Sequence, residues 1–187
     1  AVLMCSSCKD YLDILPDNVA TLDHAFTNME TAEKFLFTCY SYMPNPADVH
    51  NTPAFVSGFE SWSFKNNMYY FQLNGSATAY AYQMAAYGQT SESPYFNNWS
   101  GGNGGTNLWI AIRDCNIFMQ NIHKPTDLSD ALRARWIAEV KFLKAYYHYL
   151  LLRQYGPIPI MKDNIDVSAS LDEVRVYREP VDVVVQY

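Results

Sequence analysis

The chain has 187 residues and a formal net charge of -6, and hydrophobic residues make up 49% of it. This length is sufficient for one domain with a buried core. The negative charge argues against nucleic-acid binding, which depends on clustered Lys and Arg. No apolar run reaches the roughly 18 residues that a membrane-spanning helix needs. Aromatic residues are frequent, with 15 Tyr and 10 Phe, and this excess predicts partly exposed rings.

The N-terminal sequence AVLMCSSC has the features of the end of a bacterial lipoprotein signal peptide. In such a signal an aliphatic residue and two small residues precede the acylated cysteine. Ser6, Ser7 and Cys8 fit this pattern, whereas Cys5 stands where Leu is usual. We therefore expect residues 1–8 to be a signal remnant in which Cys8 carries the lipid that anchors the protein to a membrane. The alternative is a frayed terminus with two incidental thiols or a local disulfide.

After an apolar tether at residues 9–19, the spacing predicts a first helix from Asn28 to Met43. Pro44 ends this helix. Its Cys39, like Cys115 further along the chain, is flanked by apolar residues and has no His or second Cys at ligand spacing. Buried free thiols are therefore favoured over a metal site.

From about residue 45 to about residue 106 the helical spacing is lost, and Pro, Gly, Asn and Ser surround many aromatic residues. This length is far outside that of an ordinary loop and indicates a functional insertion or one with structure of its own. A short helix is predicted at 77–87. The Gly-rich run NNWSGGNGGTN at 97–107 is incompatible with regular structure, because glycine loses too much entropy there.

This run places Trp99 on a flexible surface segment among amide side chains. Aromatic rings cover the C–H face of sugars, and amides bond to sugar hydroxyls. The predicted ligand-binding residues are accordingly Trp99, Asn98, Asn103 and Tyr95. The alternative is that the aromatic residues of the insertion fold back on the helices.

A second helix is predicted from Thr106 or Asn107 to Ile122, with Asn116 beside its apolar stripe and bonded to a neighbouring backbone group. A third helix follows from Ser129 or Asp130 and forms an antiparallel hairpin with it. The third helix is apolar nearly all round, which predicts that it is covered on several sides. The positions with helical spacing are Leu132, Trp136, Val140, Leu143, Tyr147, Leu150 and Leu151.

Gly156 supplies a left-handed cap after the third helix, and Pro157 prevents its continuation. Pro180 and Asp182 predict the start of a further helix. These helix pairs predict an all-α fold with tetratricopeptide-like packing.

Four segments together resemble the SusD/RagB family of outer-membrane nutrient-binding lipoproteins of the Bacteroidetes. They are CKDYLDILP, LWIAIRDCNIFMQNI, AEVKFLKAYYHYLLLRQYGPIPI and REPVDVVVQY. The third is the most diagnostic, because the family has a Glu, Phe-Leu-Arg-Ala and aromatic residues before Tyr-Gly-Pro-x-Pro. Lys144 stands where the family commonly has Arg and keeps the charge.

The resemblance implies a surface-exposed, lipid-anchored protein of the outer membrane whose domain at 9–187 is only the N-terminal part of a longer, truncated chain. It also implies that an oligosaccharide is delivered to a SusC-like TonB-dependent transporter. From the residues themselves we predict neither a cofactor nor a metal. Family ligands are sometimes peptides, so a peptide-binding RagB-like protein is the alternative function.

Two other classes of protein were open from the sequence. A glycosidase needs two positioned carboxylates, but Asp48, Glu60 and Glu92 are scattered through the insertion. We therefore predict that the protein is not an enzyme and has no catalytic residues. A helical-repeat scaffold that binds a protein or peptide is the stronger rival, and it predicts a buried insertion and no sugar binding.

Overall fold

The computed structural model describes residues 22–45, Tyr80, Met84, 88–166 and 168–187. The expectations for the signal remnant, the lipid anchor Cys8 and the tether lie outside these residues. So does most of the insertion, including most of the predicted helix at 77–87. Of that predicted helix, Tyr80 and Met84 are described, and both are helical.

The described part of the chain is helical and contains only two isolated β-bridges, Gly102–Gly105 and Ile158–Glu179. This confirms the all-α prediction. In chain order the described helices are α1 Leu22–Ala25, α2 Met29–Ser41, α3 Leu108–Asn121, α4 Asp130–Tyr155, α5 Leu171–Val174 and α6 Val181–Gln186.

Side-chain caps determine where the three long helices begin. Asn28 accepts a hydrogen bond from the backbone N–H of Thr31 in a capping box at the start of α2. Asn107 caps α3 and Ser129 caps α4 in the same manner. Each oxygen satisfies an N–H group that has no partner within the helix. These caps agree with the predicted starts. Gly156 ends α4 at the predicted position with a positive φ of 72°, but its ψ of -133° lies outside the left-handed helical region that the sequence predicted.

Helices α3 and α4 are antiparallel, as their end-to-end contacts show. The ring of Trp109, near the start of α3, lies 6.4 Å from that of His148, near the end of α4. At the opposite end, Arg133 Nε donates to the carbonyl of Ile122 at 3.2 Å. The predicted αα-hairpin is therefore present.

Helix α2 covers this hairpin. The backbone N–H of Met29 donates to Asp127 Oδ1 at 2.8 Å, and Tyr42 Oη donates to Asp114 Oδ2 at 2.6 Å. Tyr147 Oη on α4 donates to the carbonyl of Cys39 at 2.5 Å. The core shared by the three helices includes Ala32, Leu36, Cys39, Ile112, Cys115, Phe118, Val140, Leu143, Tyr147 and Leu151.

The residues that the structure describes cover α4 on a single broad side. Leu143 and Tyr147 are fully buried, whereas Phe142 is 64% and Tyr149 is 52% exposed. The exposed rings stack in a row, with Tyr146 lying 6.2 Å from Phe142 and 6.3 Å from Tyr149. The sequence predicted that α4 is covered on several sides, because apolar residues occur nearly all round it. Apolar content alone, however, does not show which faces have neighbours.

Candidate functional site

The four residues predicted to bind ligand lie in one segment, residues 88–107, called the aromatic loop below. Its backbone turns sharply: Gly102 and Gly105 exchange two hydrogen bonds, and Phe96 and Asn103 both have a φ of 50°. A Cβ added at Gly105 would lie 2.3 Å from the backbone nitrogen of Asn97. Glycine is therefore required there by close backbone approach, rather than by a need for flexibility.

Trp99 packs against the core instead of projecting freely. Its ring meets those of Trp109 at 5.0 Å and Tyr155 at 5.3 Å, both edge to face. Its backbone N–H donates to Tyr155 Oη at 3.1 Å and to Asn97 Oδ1 at 3.1 Å. The side chain remains partly exposed. Defined contacts thus hold Trp99 where the sequence predicted a flexible segment.

A charged residue from a distant part of the chain joins this cluster. The guanidinium of Arg178 lies 4.9 Å from the Trp99 ring centroid, a cation–π distance. Its neighbour Glu179 donates its backbone N–H to the carbonyl of Ile158 at 2.9 Å, and this bond positions the segment before α6. Nothing in the sequence linked Arg178 to Trp99, because the pairing depends on how that segment returns across the end of α4.

Asn98 ties the aromatic loop to α4. Its Nδ2 donates to Gln154 Oε1 at 2.7 Å, and its Oδ1 accepts from the backbone N–H of Thr106 at 3.0 Å. Gln154 Nε2 in turn donates to the carbonyl of Phe96 at 2.8 Å. The two amide side chains together connect the middle of the loop and its C-terminal end to the helix. These bonds occupy polar groups that the sequence assigned to sugar hydroxyls.

Asn103 binds to the first half of the loop, where Tyr95 also lies. Asn103 Nδ2 donates to Ser93 Oγ at 3.0 Å and to the carbonyl of Pro94 at 3.2 Å. The Tyr95 ring stacks on Tyr80 with 5.4 Å between centroids. Among the described residues, no ring contact joins Tyr95 to Trp99. The fold therefore places the four predicted residues in one loop but packs the two rings against different neighbours.

Two polar side chains of α4 are buried next to this cluster. The Nδ1 atom of His148 lies 2.8 Å from the Lys144 carbonyl, and its Nε2 accepts from the backbone N–H of Met161 at 3.4 Å. This pattern requires the neutral ring with its proton on Nδ1. Burial lowers the pKa of His148, and the Lys144 ammonium adds to that effect. Lys144 Nζ itself donates to the carbonyl of Lys162 at 2.6 Å.

Both side chains therefore hold the segment after α4 against the helix. The ring of Tyr187 lies over the same pair, with its centroid 5.4 Å from that of His148 and 5.6 Å from Lys144 Nζ. Every described hydrogen bond of this pair goes to the backbone, so the pair has a structural role.

Asn116 corrects one prediction from the sequence. It is 1% exposed, as expected, but its Nδ2 donates to the side-chain oxygen of Asn164 at 3.2 Å and not to the backbone. Asn164 relays the contact by donating to the carbonyl of Arg113 at 3.1 Å. The sequence did not predict this partner, because Asn164 lies in the segment after α4 and meets α3 only in the folded chain.

Neither a metal centre nor a membrane span is found in the described part of the chain. Within residues 22–45, 88–166 and 168–187, no group of three or more His, Cys, Asp or Glu side chains is placed to bind a metal ion. No helix in the same ranges is long and apolar enough to cross a membrane.

The fold and the sequence together define a family. The sequence model of the SusD-like family, described as starch-binding and associating with the outer membrane, matches residues 10–186. The chain therefore belongs to the SusD-like family, as its resemblance to SusD/RagB proteins implied. No curated protein matches the chain significantly.

A solved structure supports the fold. A SusD-like protein from Bacteroides fragilis superposes with a TM-score of 0.60 at 16% sequence identity. The match covers 90% of this chain and 30% of that chain. The chain thus spans about a third of the length of this structural relative, which at such low identity is informative about the fold alone.

Proposed function

We propose that the protein binds oligosaccharides at the cell surface, anchored in the outer membrane by a lipid on Cys8, and delivers them to a SusC-like TonB-dependent transporter. The observation that carries this proposal is the family match over residues 10–186, because that family is described as starch-binding and outer-membrane-associated. Its role is binding without catalysis. The chain has a net charge of -6, which favours an uncharged ligand over a polyanion.

The aromatic loop is the proposed contact surface, with Trp99 and Tyr95 as the rings that stack on sugar. Both side chains are partly exposed and both are held by neighbouring rings, so little side-chain entropy is lost on binding. We assign Asn98 and Asn103 a supporting part, since their Nδ2 groups hold the loop in shape. Arg178 beside Trp99 supplies further N–H donors that are near enough to reach a bound sugar.

Calorimetric titration of the longest available form of the protein against a panel of oligosaccharides and peptides tests the proposal. We expect micromolar-to-millimolar binding of one oligosaccharide and a loss of about tenfold or more in Trp99→Ala, because truncating an aromatic residue at the centre of a binding site costs more than about 1 kcal/mol. Phe142→Ala is the matched control, because Phe142 is an exposed ring on α4 outside the aromatic loop.

Because Trp99 also packs on Trp109 and Tyr155, circular dichroism must show that Trp99→Ala remains folded. Trp99→Phe keeps a ring at the position and should retain most of the affinity. Equal sugar affinity in the wild type and in Trp99→Ala would remove the aromatic loop from the site while preserving the function. Binding of peptides alone would replace the glycan with a peptide ligand.

A further inference from the structure

The Gly-rich part of the aromatic loop contains a two-residue hairpin turn. Gly102 and Gly105 each donate a backbone N–H to the carbonyl of the other, at 3.1 Å and 2.9 Å. Between them, Asn103 and Gly104 have positive φ angles of 50° and 84°. Two positive φ angles enclosed by such a hydrogen-bonded pair define a type I′ turn, for which Asn-Gly is a preferred sequence. The turn therefore fixes the backbone of this dipeptide.

Asn-Gly is also the dipeptide in which an asparagine amide is lost most readily. The backbone nitrogen of the following residue attacks the side-chain carbonyl carbon, and glycine permits this close approach because it has no Cβ. In this turn Gly104 is exposed. Its backbone N–H makes no hydrogen bond within the described part of the chain. The attacking nitrogen is thus not occupied by another partner.

The side chain of Asn103, in contrast, is held by the opposite part of the loop. Its Nδ2 donates to Ser93 Oγ at 3.0 Å and to the carbonyl of Pro94 at 3.2 Å. Its backbone carbonyl accepts from the N–H of Phe96 at 2.9 Å. Cyclisation requires the side-chain amide to turn toward the nitrogen of Gly104 and the backbone between the two residues to rotate. These three hydrogen bonds therefore oppose the reaction while the loop is closed.

We propose that Asn103 is a deamidation site that the closed aromatic loop protects, and that deamidation there releases residues 93–96 from the turn. The proposal depends on the geometry of the loop alone and is independent of which ligand the protein binds.

The reaction needs water as its only co-reactant. The nitrogen of Gly104 forms a bond to Cγ of Asn103, the bond from Cγ to Nδ2 breaks, and the proton of the attacking N–H leaves with Nδ2 as ammonia. Water then opens the resulting five-membered imide at one of its two carbonyl carbons. Attack at Cγ gives aspartate, and attack at the former backbone carbonyl gives isoaspartate.

Either product removes the hydrogen bonds that hold the loop closed. A carboxylate at position 103 has no N–H to donate to Ser93 and Pro94. It would also place a negative charge against the Pro94 carbonyl oxygen. Isoaspartate in addition inserts a carbon atom into the main chain, which is incompatible with the type I′ geometry. Because ammonia is lost, the loop does not recover its original contacts when it closes again.

The rate of deamidation tests the protection. The longest available form of the protein is incubated in mildly alkaline buffer with and without urea, digested with chymotrypsin and analysed by mass spectrometry with fragmentation. Asn74–Gly75, the other Asn-Gly pair of the sequence, lies outside the described residues and is separated from Asn103 by cleavage after aromatic residues.

In urea, Asn103 and Asn74 should deamidate at similar rates. Without urea, Asn103 should react about tenfold or more slowly than in urea, because the loop has to open first. Equal rates at Asn103 with and without urea, or no reaction there in urea, would overturn the proposal.

A pair of serine variants tests the hydrogen bonds themselves. Ser93→Ala removes one acceptor of the Asn103 amide and leaves the turn unchanged, so deamidation in buffer should be about 2–10 times faster, the factor that corresponds to one ordinary hydrogen bond. Ser100→Ala is the matched control, because Ser100 is an exposed serine of the same loop whose hydroxyl has no described hydrogen bond. Equal rates in the two variants would show that the Ser93 contact gives no protection.

Asn103→Asp supplies one reaction product directly and tests the release of the loop. The backbone amides of Phe96 and Gly105 should exchange with solvent about tenfold or more faster than in the wild type, while the amides of α4 report that the fold is intact. Unchanged exchange at Phe96 and Gly105 would overturn the proposed release.

Discussion

The two sides of helix α4 have nearly the same hydrophobic character and entirely different surroundings. Leu143, Tyr147 and Leu151 are buried against α2 and α3, while Phe142 and Tyr149 form an aromatic row exposed to solvent among the described residues. Side-chain type therefore does not separate them. What differs is whether another helix lies opposite, and the contribution of each residue to stability should follow that difference.

The largest difference in stability is expected between two residues that are adjacent in sequence but lie on opposite sides of α4. Leu143→Ala should lower the free energy of unfolding by about 2–5 kcal/mol, because it leaves a cavity in a fully buried position. Phe142→Ala removes a larger side chain, but it should cost no more than about 1 kcal/mol, since the ring is mostly exposed. Urea unfolding of both variants measures the difference. If Phe142→Ala lowered the free energy of unfolding as much as Leu143→Ala does, the aromatic row on α4 would have to be buried and the comparison would fail.

Two tyrosines provide a finer comparison, because each substitution removes only a hydroxyl group. Tyr147→Phe deprives the buried carbonyl of Cys39 of its donor and should cost about 1–3 kcal/mol. Burial raises the pKa of Tyr147, so its hydroxyl remains a donor at neutral pH. Tyr149→Phe should change stability by at most about 0.5 kcal/mol. Denaturant midpoints measured in parallel would contradict this if the two variants behaved alike.

The smallest effect concerns pH and His148 on the buried side. Burial lowers its folded-state pKa, so the unfolded chain binds a proton more readily. The free energy of unfolding should therefore fall as the pH decreases from about 6.5, the ordinary histidine value, toward the lower folded-state pKa. Protonation would also remove the acceptor for Met161 N–H.

Urea unfolding over a pH series tests this prediction. His148→Gln should have a shallower dependence on pH than the wild type between about pH 5 and about pH 7. His123→Gln is the control for replacing a histidine by glutamine, because His123 is exposed. Parallel curves for the wild type and His148→Gln would show that other groups determine the acid sensitivity.

The candidate site was less predictable than the helices. Local sequence identified the aromatic loop, since Gly-rich runs break regular structure. It did not identify Gln154 as the partner of Asn98 or Arg178 as the cation beside Trp99. Both contacts join residues far apart in the chain, and their geometry exists only after α4 and the segment before α6 are in place. The predicted ligand-binding role of the loop stays a prediction.

The amino-acid sequence by itself determined the three long helices, their caps at Asn28, Asn107 and Ser129, and the end of α4 at Gly156, but not the short helices α1 and α5. These features depend on spacing and on side-chain to backbone bonds within a few residues. Only the tertiary structure decided which side of α4 is buried and that Arg178 lies over the ring of Trp99. Such choices depend on long-range packing, because equally apolar faces differ only in what lies opposite them.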